Sequence, residues 1–455
     1  MEFKKERIFV LKTKKFRLSN TRIIALSFVC VIFVGTLLLC LPISSSSGEW
    51  TPPLNAAFTA TSATCVTGLV VYDTYTHWSL FGKFVILTLI QIGGLGFMTL
   101  ITLFALVTHK HLSLHKRQLI MQSTGNNYLS GVMSLVQKIF LGTLIFEGAG
   151  TVLLAFRFCP MMGFWEGLFN AFFHSVSAFC NAGFDLMGKY EPFSSFTLFS
   201  DDLLVQGVLM ALIVIGGIGF FVWSDIIKCG KHFKQYTLHT KMVLVSTAFL
   251  LLVGWIGFFF LEIDGALAEY PLNEQLLGAL FQSVTTRTAG FNTIDQSALT
   301  GGGVLSIVWM LIGGSPGSTA GGIKTVTVLV TLLSAVATVS RREYSTMFKK
   351  RISPETVQQA SAITTIYIVL VIIATIAIMK LEAIDLEQAL FETSSAIGTV
   401  GITMGITPTV GPVSKMILML LMFIGRVGGL SFVIAFAAEK VKPDIQRPTE
   451  KVMIG

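Results

Sequence analysis

Residues 58–68 of the chain read FTATSATCVTG, and the same arrangement returns as FHSVSAFCNAG at 173–183, FQSVTTRTAG at 281–290 and FETSSAIGTVG at 391–401. Each copy contains a Phe, a Ser or Thr four residues later, and a closing Gly. The third copy is one residue shorter before its Gly. A period of roughly 110 residues is long enough for a hairpin of two membrane spans. The four copies therefore predict fourfold pseudosymmetry around a central axis.

The composition is that of an integral membrane protein. Hydrophobic residues make up 53% of the 455 residues and charged residues 13%, and the mean hydropathy is +0.74. Apolar content is therefore above that of soluble domains, and charge is well below it. Two apolar runs flank each patterned segment, and most reach the ~20 residues that cross a bilayer. We predict an all-α fold with eight spans and four short re-entrant helices around a central pore.

The repeats are predicted as four tandem units of helix, pore loop and helix. Repeat 1 covers 20–113 with its pore loop at 54–69, repeat 2 covers 129–235 with its loop at 165–184, repeat 3 covers 238–340 with its loop at 273–292 and a broken second helix at 313–324, and repeat 4 covers 354–440 with its loop at 385–402. Residues 1–19 and 441–455 are predicted to be cytoplasmic tails.

The net charge is +8, and the charged residues are distributed unevenly along the sequence. Lys and Arg cluster at the two termini and between the repeats, whereas the linkers inside the repeats are acidic. By the positive-inside rule, both termini and the inter-repeat loops are cytoplasmic, so the patterned segments enter from outside. The predicted surroundings are a lipid bilayer, with no nucleic-acid partner. The six cysteines show no metal-ligand spacing and are expected to be free thiols.

The patterned segments predict a selectivity filter. A cation that enters an apolar medium loses hydration worth tens of kcal/mol, so a pore must supply oxygens in place of water. Glycines can adopt the dihedrals that turn backbone carbonyls inward. One such Gly would more simply permit a turn, but four at equivalent positions favour a filter. The predicted ion-binding residues are Thr64, Cys65, Val66, Thr67, Gly68, Cys180, Asn181, Ala182, Gly183, Thr288, Ala289, Gly290, Gly398, Thr399, Val400 and Gly401.

A family resemblance is carried by five motifs: TSATCVTGL (61–69), HSVSAFCNAGF (174–184), QSVTTRTAGFN (282–292), FETSSAIGTVG (391–401) and FIGRVGGLSFV (423–433). Over essentially its whole length the chain resembles the ion-translocating subunit of the Trk/Ktr/HKT superfamily of potassium transporters, and most closely the bacterial KtrB-type branch. Trk members carry extra amino-terminal spans that this sequence lacks, which favours the Ktr branch.

The resemblance implies a potassium-channel-like fold and K+ uptake in a bacterial plasma membrane. It implies K+ bound at Gly68, Gly183, Gly290 and Gly401, a homodimer, and a cytoplasmic nucleotide-binding regulatory ring of the RCK or KtrA type. In this superfamily a Ser in place of the first filter Gly accompanies Na+ preference, so Gly68 favours K+. A Na+-preferring or mixed transporter of the same superfamily is the alternative, and Na+ is also a candidate activator.

The segment GGSPGSTAGGIK at 313–324 predicts a gate. Pro and a density of Gly break the helix there, and irregular backbone at membrane depth must line protein or a wet cavity. Arg426 replaces a Gly at the aligned depth of repeat 4, and a membrane Arg faces the interior or a partner. The predicted gate residues are Gly313, Gly314, Ser315, Pro316, Gly317, Ser318, Thr319, Ala320, Gly321, Gly322, Lys324 and Arg426. A kink used only for packing is the simpler alternative.

Other functions fit the sequence less well. Gly317–Lys324 resembles a phosphate loop, but Ile323 separates Gly322 from Lys324 and no strand precedes it. A secondary carrier predicts inverted two-part repeats, whereas these four copies are parallel. A membrane enzyme would need a metal cluster or a nucleophile with its base, and the sequence suggests neither.

Four further residues have local interpretations. Glu392 and Arg287 either pair behind the filter or have separate solvated roles. Glu147 is expected to be buried and hydrogen-bonded rather than an ion ligand. His174 is expected to pack in the core.

Overall fold

The computed structural model describes residues 20–96 and 132–428. Within these ranges the chain is helical apart from loops and one hairpin of two-residue strands, Thr346–Met347 and Lys350–Arg351. The predicted all-α membrane fold is confirmed. Several predicted segments lie outside the described residues: the tails 1–19 and 441–455, the end of repeat 1 at 97–113, the start of repeat 2 at 129–131, and residues 429–440 of repeat 4.

Each repeat begins with an outer helix: Asn20–Cys40, Val132–Met162, Leu238–Glu262 and Pro354–Glu382. In the part of the chain that the structure describes, these four helices contain the stretches long and apolar enough to cross a membrane. Large apolar side chains on them are exposed, for example Phe33 at 61% and Phe249 at 63%. Because such exposure is unfavourable in water, these surfaces are suited to contact lipid.

A short re-entrant helix follows in each repeat: Pro53–Thr64, Phe164–Phe179, Leu272–Thr285 and Leu386–Gly398. Their 12 to 16 residues are too few to cross a bilayer. Their starts carry ordinary helix-initiating residues: Pro53 occupies the first helical position, and Pro271 and Asp385 precede the third and fourth helices. Each helix ends inside its patterned segment, so all four carboxyl ends are directed toward the same region.

Inner helices of 11 to 16 residues follow the patterned segments, one in each repeat. They are Leu80–Leu95, Leu203–Gly217, Gly301–Leu311 and Pro412–Val427. In repeat 3 a second helix, Thr325–Val339, follows the loop, so the helix is broken where the sequence predicts an interruption. Repeat 2 also breaks, and its second half, Phe220–Cys229, is turned by 92°. Inner helix 2 bends at this point because Gly219 adopts φ +96°.

The same break recurs at equivalent positions in repeats 1 and 4. Gly96 ends inner helix 1 at φ +83°, and Gly428 ends inner helix 4 at φ +94°. An Ile-Gly motif recurs in the inner helices, at Ile92-Gly93, Ile215-Gly216 and Ile424-Gly425, and each of these glycines at a break, like Gly219 in repeat 2, is the fourth residue after its Ile. A left-handed φ is adopted readily only by Gly. Inner helices 1, 2 and 4 therefore end at one common depth, whereas inner helix 3 ends earlier, at Leu311.

Acidic residues fasten the outer helices to the inner helices at the end near the patterned segments. Glu262, which is fully buried, accepts hydrogen bonds from the Thr300 and Gly302 amides at the start of inner helix 3, at 2.9 and 2.6 Å. Glu382 accepts one from the Gly411 amide before inner helix 4, at 2.9 Å. Each carboxylate satisfies amides that the helix start leaves unpaired. These contacts fix the spacing of the two helices of a repeat.

Candidate functional site

The four patterned segments meet in a closed ring. Each filter Gly lies so close to the next segment that an added Cβ atom would come within 3.0 Å of a backbone carbonyl oxygen there. The contacts run from Gly68 to Ala182, from Gly183 to Ala289, from Gly290 to Val400, and from Gly401 back to Thr67. The carbonyl in each case belongs to the residue just before the neighbouring filter Gly. The sequence order of the repeats is therefore their order around the axis.

The backbone of the ring has the same unusual conformation in all four repeats. The four glycines have φ between +69° and +94°. The residues two positions earlier are also left-handed: Val66 at +50°, Asn181 at +57°, Thr288 at +68° and Thr399 at +52°. A β-branched residue at positive φ costs on the order of 1–3 kcal/mol and persists only where its surroundings impose it. Fourfold repetition of this strain marks the ring as a functional candidate.

The recurring hydroxyl of the sequence pattern ties each segment to its re-entrant helix. The Ser62 Oγ accepts a hydrogen bond from the Gly68 amide at 3.1 Å, and Ser395 does the same for Gly401 at 3.0 Å. In repeats 2 and 3 the hydroxyl instead donates to the carbonyl after the filter Gly, from Ser177 to Phe184 at 2.7 Å and from Thr285 to Phe291 at 2.6 Å. The phenylalanines that open the pattern, Phe58, Phe173, Phe281 and Phe391, are fully buried.

Oxygens at the ring lack protein partners. The hydroxyls of Thr64, Thr67, Thr288 and Thr399 are buried, and no hydrogen bond joins any of them to the residues that the structure describes. Buried polar atoms of this kind are rare because leaving them unpaired is costly. The re-entrant helices also end here, so the negative ends of four helix dipoles point to the same place. Both features suit the binding of a dehydrated cation.

Of the predicted filter cysteines, Cys180 is directed away from the ring. Its Sγ lies 3.5 Å from the Gln91 side chain of inner helix 1 and 3.9 Å from the Glu147 carboxylate of outer helix 2. Gln91 also donates to Glu147 at 3.2 Å. Glu147 is therefore buried and hydrogen-bonded, as expected. No motif or periodicity indicates that Gln91 joins this group.

The predicted gate segment lies directly beneath the ring. The Thr319 hydroxyl contacts the Phe179 carbonyl at 3.1 Å and the Asn181 side chain at 3.0 Å, both in the patterned segment of repeat 2. The Ser315 amide donates to the Gly217 carbonyl at 2.9 Å. An added Cβ on Gly321 would collide with Thr399 of repeat 4. The segment from repeat 3 therefore contacts repeats 2 and 4 at the base of the ring.

Arg426 completes this layer. Its guanidinium donates to the Thr319 carbonyl of the gate segment and to the Gly93 and Gly94 carbonyls of inner helix 1. The Lys324 ammonium turns back onto the Ala320 carbonyl at 2.6 Å and the Gly321 carbonyl at 3.3 Å. Ser315 and Thr319 of the predicted gate segment are fully buried. All four repeats are joined beneath the ring by one loop and one Arg side chain.

The inner-helix glycines allow this close assembly. An added Cβ on Gly93, Gly216 or Gly425 would collide with the backbone carbonyl four residues before the filter Gly of the same repeat. In repeat 3 the equivalent Gly313 instead faces the Gly321 carbonyl of the gate segment. These glycines therefore permit close packing in every repeat, and in repeat 3 the gate segment occupies the place that the patterned segment has in the others.

Glu392 and Arg287 follow neither sequence interpretation. Glu392 is fully buried and accepts hydrogen bonds from the Thr403 and Thr407 hydroxyls, the latter at 3.0 Å. Arg287 is only 7% exposed, and no ion pair joins it to Glu392 in the part of the chain that the structure describes. Both interpretations are wrong: the two side chains are buried rather than in water, and threonine hydroxyls rather than Arg287 donate hydrogen bonds to the Glu392 carboxylate. His174 packs as expected, against Phe158, Phe173 and Phe196.

A small cavity of about 50 Å³ lies on the other side of the ring from the gate segment. It is lined by the four filter glycines together with Asp73 and Asp185. The Asp73 carboxylate accepts from the Tyr75 amide at 3.0 Å and from the Phe193 amide at 3.1 Å, and Asp185 accepts from the Met187 amide at 3.0 Å. Burial, with a smaller contribution from nearby Asp73, raises the pKa of Asp185 to about 7.

The chain is similar to known cation transport proteins. The family model of TrkH, described as a cation transport protein, matches residues 9–445. The chain is 38% identical to the potassium/sodium uptake protein NtpJ of Enterococcus hirae, over 96% of this chain and 98% of that protein. It is 37% identical to the Ktr system potassium uptake protein B of Bacillus subtilis, over 96% and 97%.

The fold is shared with a solved structure. The crystal structure of the potassium transporter TrkH from Vibrio parahaemolyticus superposes with a TM-score of 0.74 at 19% identity, covering 94% of this chain and 86% of that one. These relatives are named as transporters and not as enzymes. The family match spans nearly the whole chain, including the ring and the gate segment beneath it. The chain is therefore a multi-pass membrane protein that belongs to the TrkH family of cation transport proteins.

Proposed function

We propose that the chain is the pore-forming subunit of a potassium uptake transporter. The observation that carries the proposal is the closed ring of four left-handed glycines, with a loop and an Arg side chain beneath it. Backbone carbonyls that surround the axis replace the hydration shell of a K+ ion. The negative ends of the four re-entrant helices stabilise the ion further. The relatives named for potassium uptake support the choice of ion.

Residues 313–324 and Arg426 act as the gate in this proposal. A cation that leaves the ring on the inner side meets the guanidinium, and two unit charges 4 Å apart repel by about 4 kcal/mol at an effective dielectric constant of 20. The loop is held to repeat 2 by several hydrogen bonds, including those of Ser315 and Thr319, and to repeat 4 through Arg426. It contains five glycines, whose backbone can adopt a new conformation once these bonds are released. Opening requires the guanidinium to release the Thr319 carbonyl.

The regulator and the orientation belong to the same proposal. Basic clusters between the repeats give a cytoplasmic face on which a nucleotide-binding ring of the RCK or KtrA type docks, and two copies of the chain form a homodimer in a bacterial plasma membrane. Relatives named as parts of a Ktr system support a multi-component assembly. Both termini are then cytoplasmic. Na+ is proposed as an activator, and the relative named for potassium and sodium keeps a mixed selectivity as the second candidate.

Tracer uptake tests the proposal. We expect cells without their own K+ uptake systems to accumulate Rb+ when they make this chain together with a nucleotide-binding ring subunit, and to grow at low external K+. The control is the same cells with the ring subunit alone. Uptake no greater than in that control, with the chain demonstrably in the membrane, would refute the proposal. Uptake of Na+ in preference to Rb+ would favour the second candidate.

A further inference from the structure

A groove opens between outer helix 2 and the bent second half of inner helix 2. Its volume is about 330 Å³, within the range of about 300 to 1,000 Å³ typical of small-molecule sites. Its walls are apolar and include Phe146, Ile218 and Trp223. Ile145 and Ile227 at its edges are 58% and 71% exposed, so the groove is open to the surroundings of the protein.

One charged side chain, Lys138, stands among the described residues that line the groove. Lys138 is exposed and lies in the second turn of outer helix 2. At the opposite wall, Ile226 and Ile227 run directly into Lys228 and the basic loop that follows. In the orientation proposed above, this end of both helices is at the cytoplasmic surface of the membrane. The groove therefore combines an apolar interior with a basic entrance at the level of the inner leaflet.

We propose that the groove binds an anionic phospholipid of the inner leaflet, with an acyl chain against Phe146 and Trp223 and the headgroup phosphate on Lys138. An apolar cleft in the bilayer is filled by hydrocarbon because lipid tails are its solvent. A Lys at the headgroup level attracts anionic lipids, and basic pockets between membrane helices bind them selectively. The inference depends on the proposed orientation, but not on which ion is transported.

The site is coupled to the gate segment through the groove's own wall. The Phe220 amide, at the start of the bent half-helix, donates to the Gly317 carbonyl of the gate segment at 2.9 Å. The preceding Gly219 lies so close to Pro316 that an added Cβ would stand 2.8 Å from its carbonyl oxygen. A lipid that fills the groove would contact the same half-helix, because Phe220 and Trp223 line the groove. Its occupancy therefore bears on the position of the loop beneath the ring.

Lipid binding to the purified full-length protein in detergent tests the inference without any transport assay. Native mass spectrometry and thermal unfolding would be compared with phosphatidylglycerol and with phosphatidylcholine. We expect the wild type to prefer phosphatidylglycerol. Lys138→Gln should weaken that binding about fivefold, equivalent to ~1 kcal/mol for one Lys near an anionic headgroup. Lys138→Arg should retain it, and Ile145→Trp, which narrows the groove, should weaken both lipids.

Lys380→Gln is the matched control, because Lys380 is an exposed Lys at the opposite end of an outer helix. It should bind both lipids as the wild type does. Equal affinity for the two lipids, or no effect of Lys138→Gln, would overturn the proposal. Loss of the dimer mass in Ile145→Trp with unchanged lipid binding would also overturn it, and would assign the groove to a second copy of the chain. None of these results depends on Rb+ uptake, so the two proposals fail separately.

Discussion

At the scale of single residues, the recurring sequence pattern has a physical explanation for each of its members. The Phe anchors the re-entrant helix in the core, and the hydroxyl four residues later holds the filter backbone. The Gly supplies a left-handed φ at a point where a side chain would strike the next repeat. The hydroxyl is the least obvious of the three, because its partner is a backbone group six or seven residues away.

Removing one of these hydroxyls should loosen the ring. In Ser395→Ala the Gly401 amide loses its buried acceptor, which costs on the order of 1–3 kcal/mol. We expect a lower thermal midpoint of the purified protein and weaker discrimination of Rb+ against Na+. Ser395→Thr keeps the hydroxyl and serves as the control. Wild-type selectivity and stability in Ser395→Ala would show that the hydrogen bond is dispensable.

Asp185 should make the protein sensitive to external pH. Its pKa of about 7 lies above the ordinary value of 3.8, so the folded state holds a proton between these values that the unfolded chain releases. Its contribution to stability is therefore fully present below about pH 4 and is lost as pH rises through about 7. In the same range the carboxylate beside the ring becomes charged and attracts cations. We expect Rb+ uptake to rise between about pH 6 and 8.

Asp185→Asn separates this effect from other titrations. The Met187 amide and the Ser195 hydroxyl are its hydrogen-bonding neighbours, and Asp73 is the nearby charged group. The variant keeps a side-chain oxygen for the Met187 amide but has no proton to lose. Its uptake should be nearly constant over this pH range, as initial Rb+ rates would show. A pH profile equal to that of the wild type would rule out Asp185 as the titrating group.

At the scale of elements, the breaks in the inner helices decide the layout beneath the ring. The first amide of the bent half-helix in repeat 2 donates a hydrogen bond to the gate segment, and the gate segment contacts repeats 2 and 4. The Gly residues at these breaks lie in largely apolar runs, so hydropathy alone gives a continuous span. Only the shared Ile-Gly register, with a Gly four residues after the Ile, was available as a signal.

The break in repeat 2 should be sensitive to a single methyl group. Gly219→Ala forces an L-residue into φ +96° and pushes its Cβ against the Pro316 carbonyl. We expect a loss of ~1–3 kcal/mol, seen as a lower thermal midpoint. Gly207→Ala, in the same inner helix with open space around its Cα, should instead be neutral or stabilising by ~0.5–1 kcal/mol. Equal effects of the two changes would contradict this account of the bend.

Removing the positive charge of Arg426 from the proposed gate should increase ion flux. Arg426→Gln removes the charge that faces the cation while leaving hydrogen-bonding atoms near the Gly93 and Thr319 carbonyls. With a barrier of about 4 kcal/mol to relieve, Rb+ flux into proteoliposomes should rise at least about tenfold. Arg426→Lys keeps the charge and should stay near wild type. Deletion of 315–320 should also raise flux. Unchanged flux in both Arg426→Gln and the deletion would remove the gate from the proposal.

At the scale of the whole molecule, the fold was largely predictable because it is repeated. Four copies of a pattern report on the same local structure, so the filter glycines and the outer helices could be placed from sequence alone. The contacts between repeats could not. The Asp73 bond to the Phe193 amide and the Gln91 bond to Glu147 join residues 120 and 56 positions apart. Neither has a periodic signal, because each occurs once and depends on how the repeats pack.

The same limit explains the errors around the filter. Opposite charges at Arg287 and Glu392 suggest a pair, but Thr403 and Thr407 come closer to the carboxylate. These threonines belong to the loop after the filter of the same repeat, whose path is set by Gly401 and Gly405 at positive φ. A local turn therefore decided the partner of Glu392, and charge alone did not predict it.

Ion competition at the ring tests the central claim most directly. In Gly183→Ser the new side chain would enter the space occupied by the Ala289 carbonyl of the next repeat, which would distort the ring of oxygens that we propose to select the ion. Gly148→Ser, in the outer helix of the same repeat with nothing near its Cα, is the control. We predict that Na+ competes weakly with Rb+ uptake in the wild type and in Gly148→Ser, and strongly in Gly183→Ser. Competition by Na+ that is identical in all three proteins would contradict a filter formed by this ring.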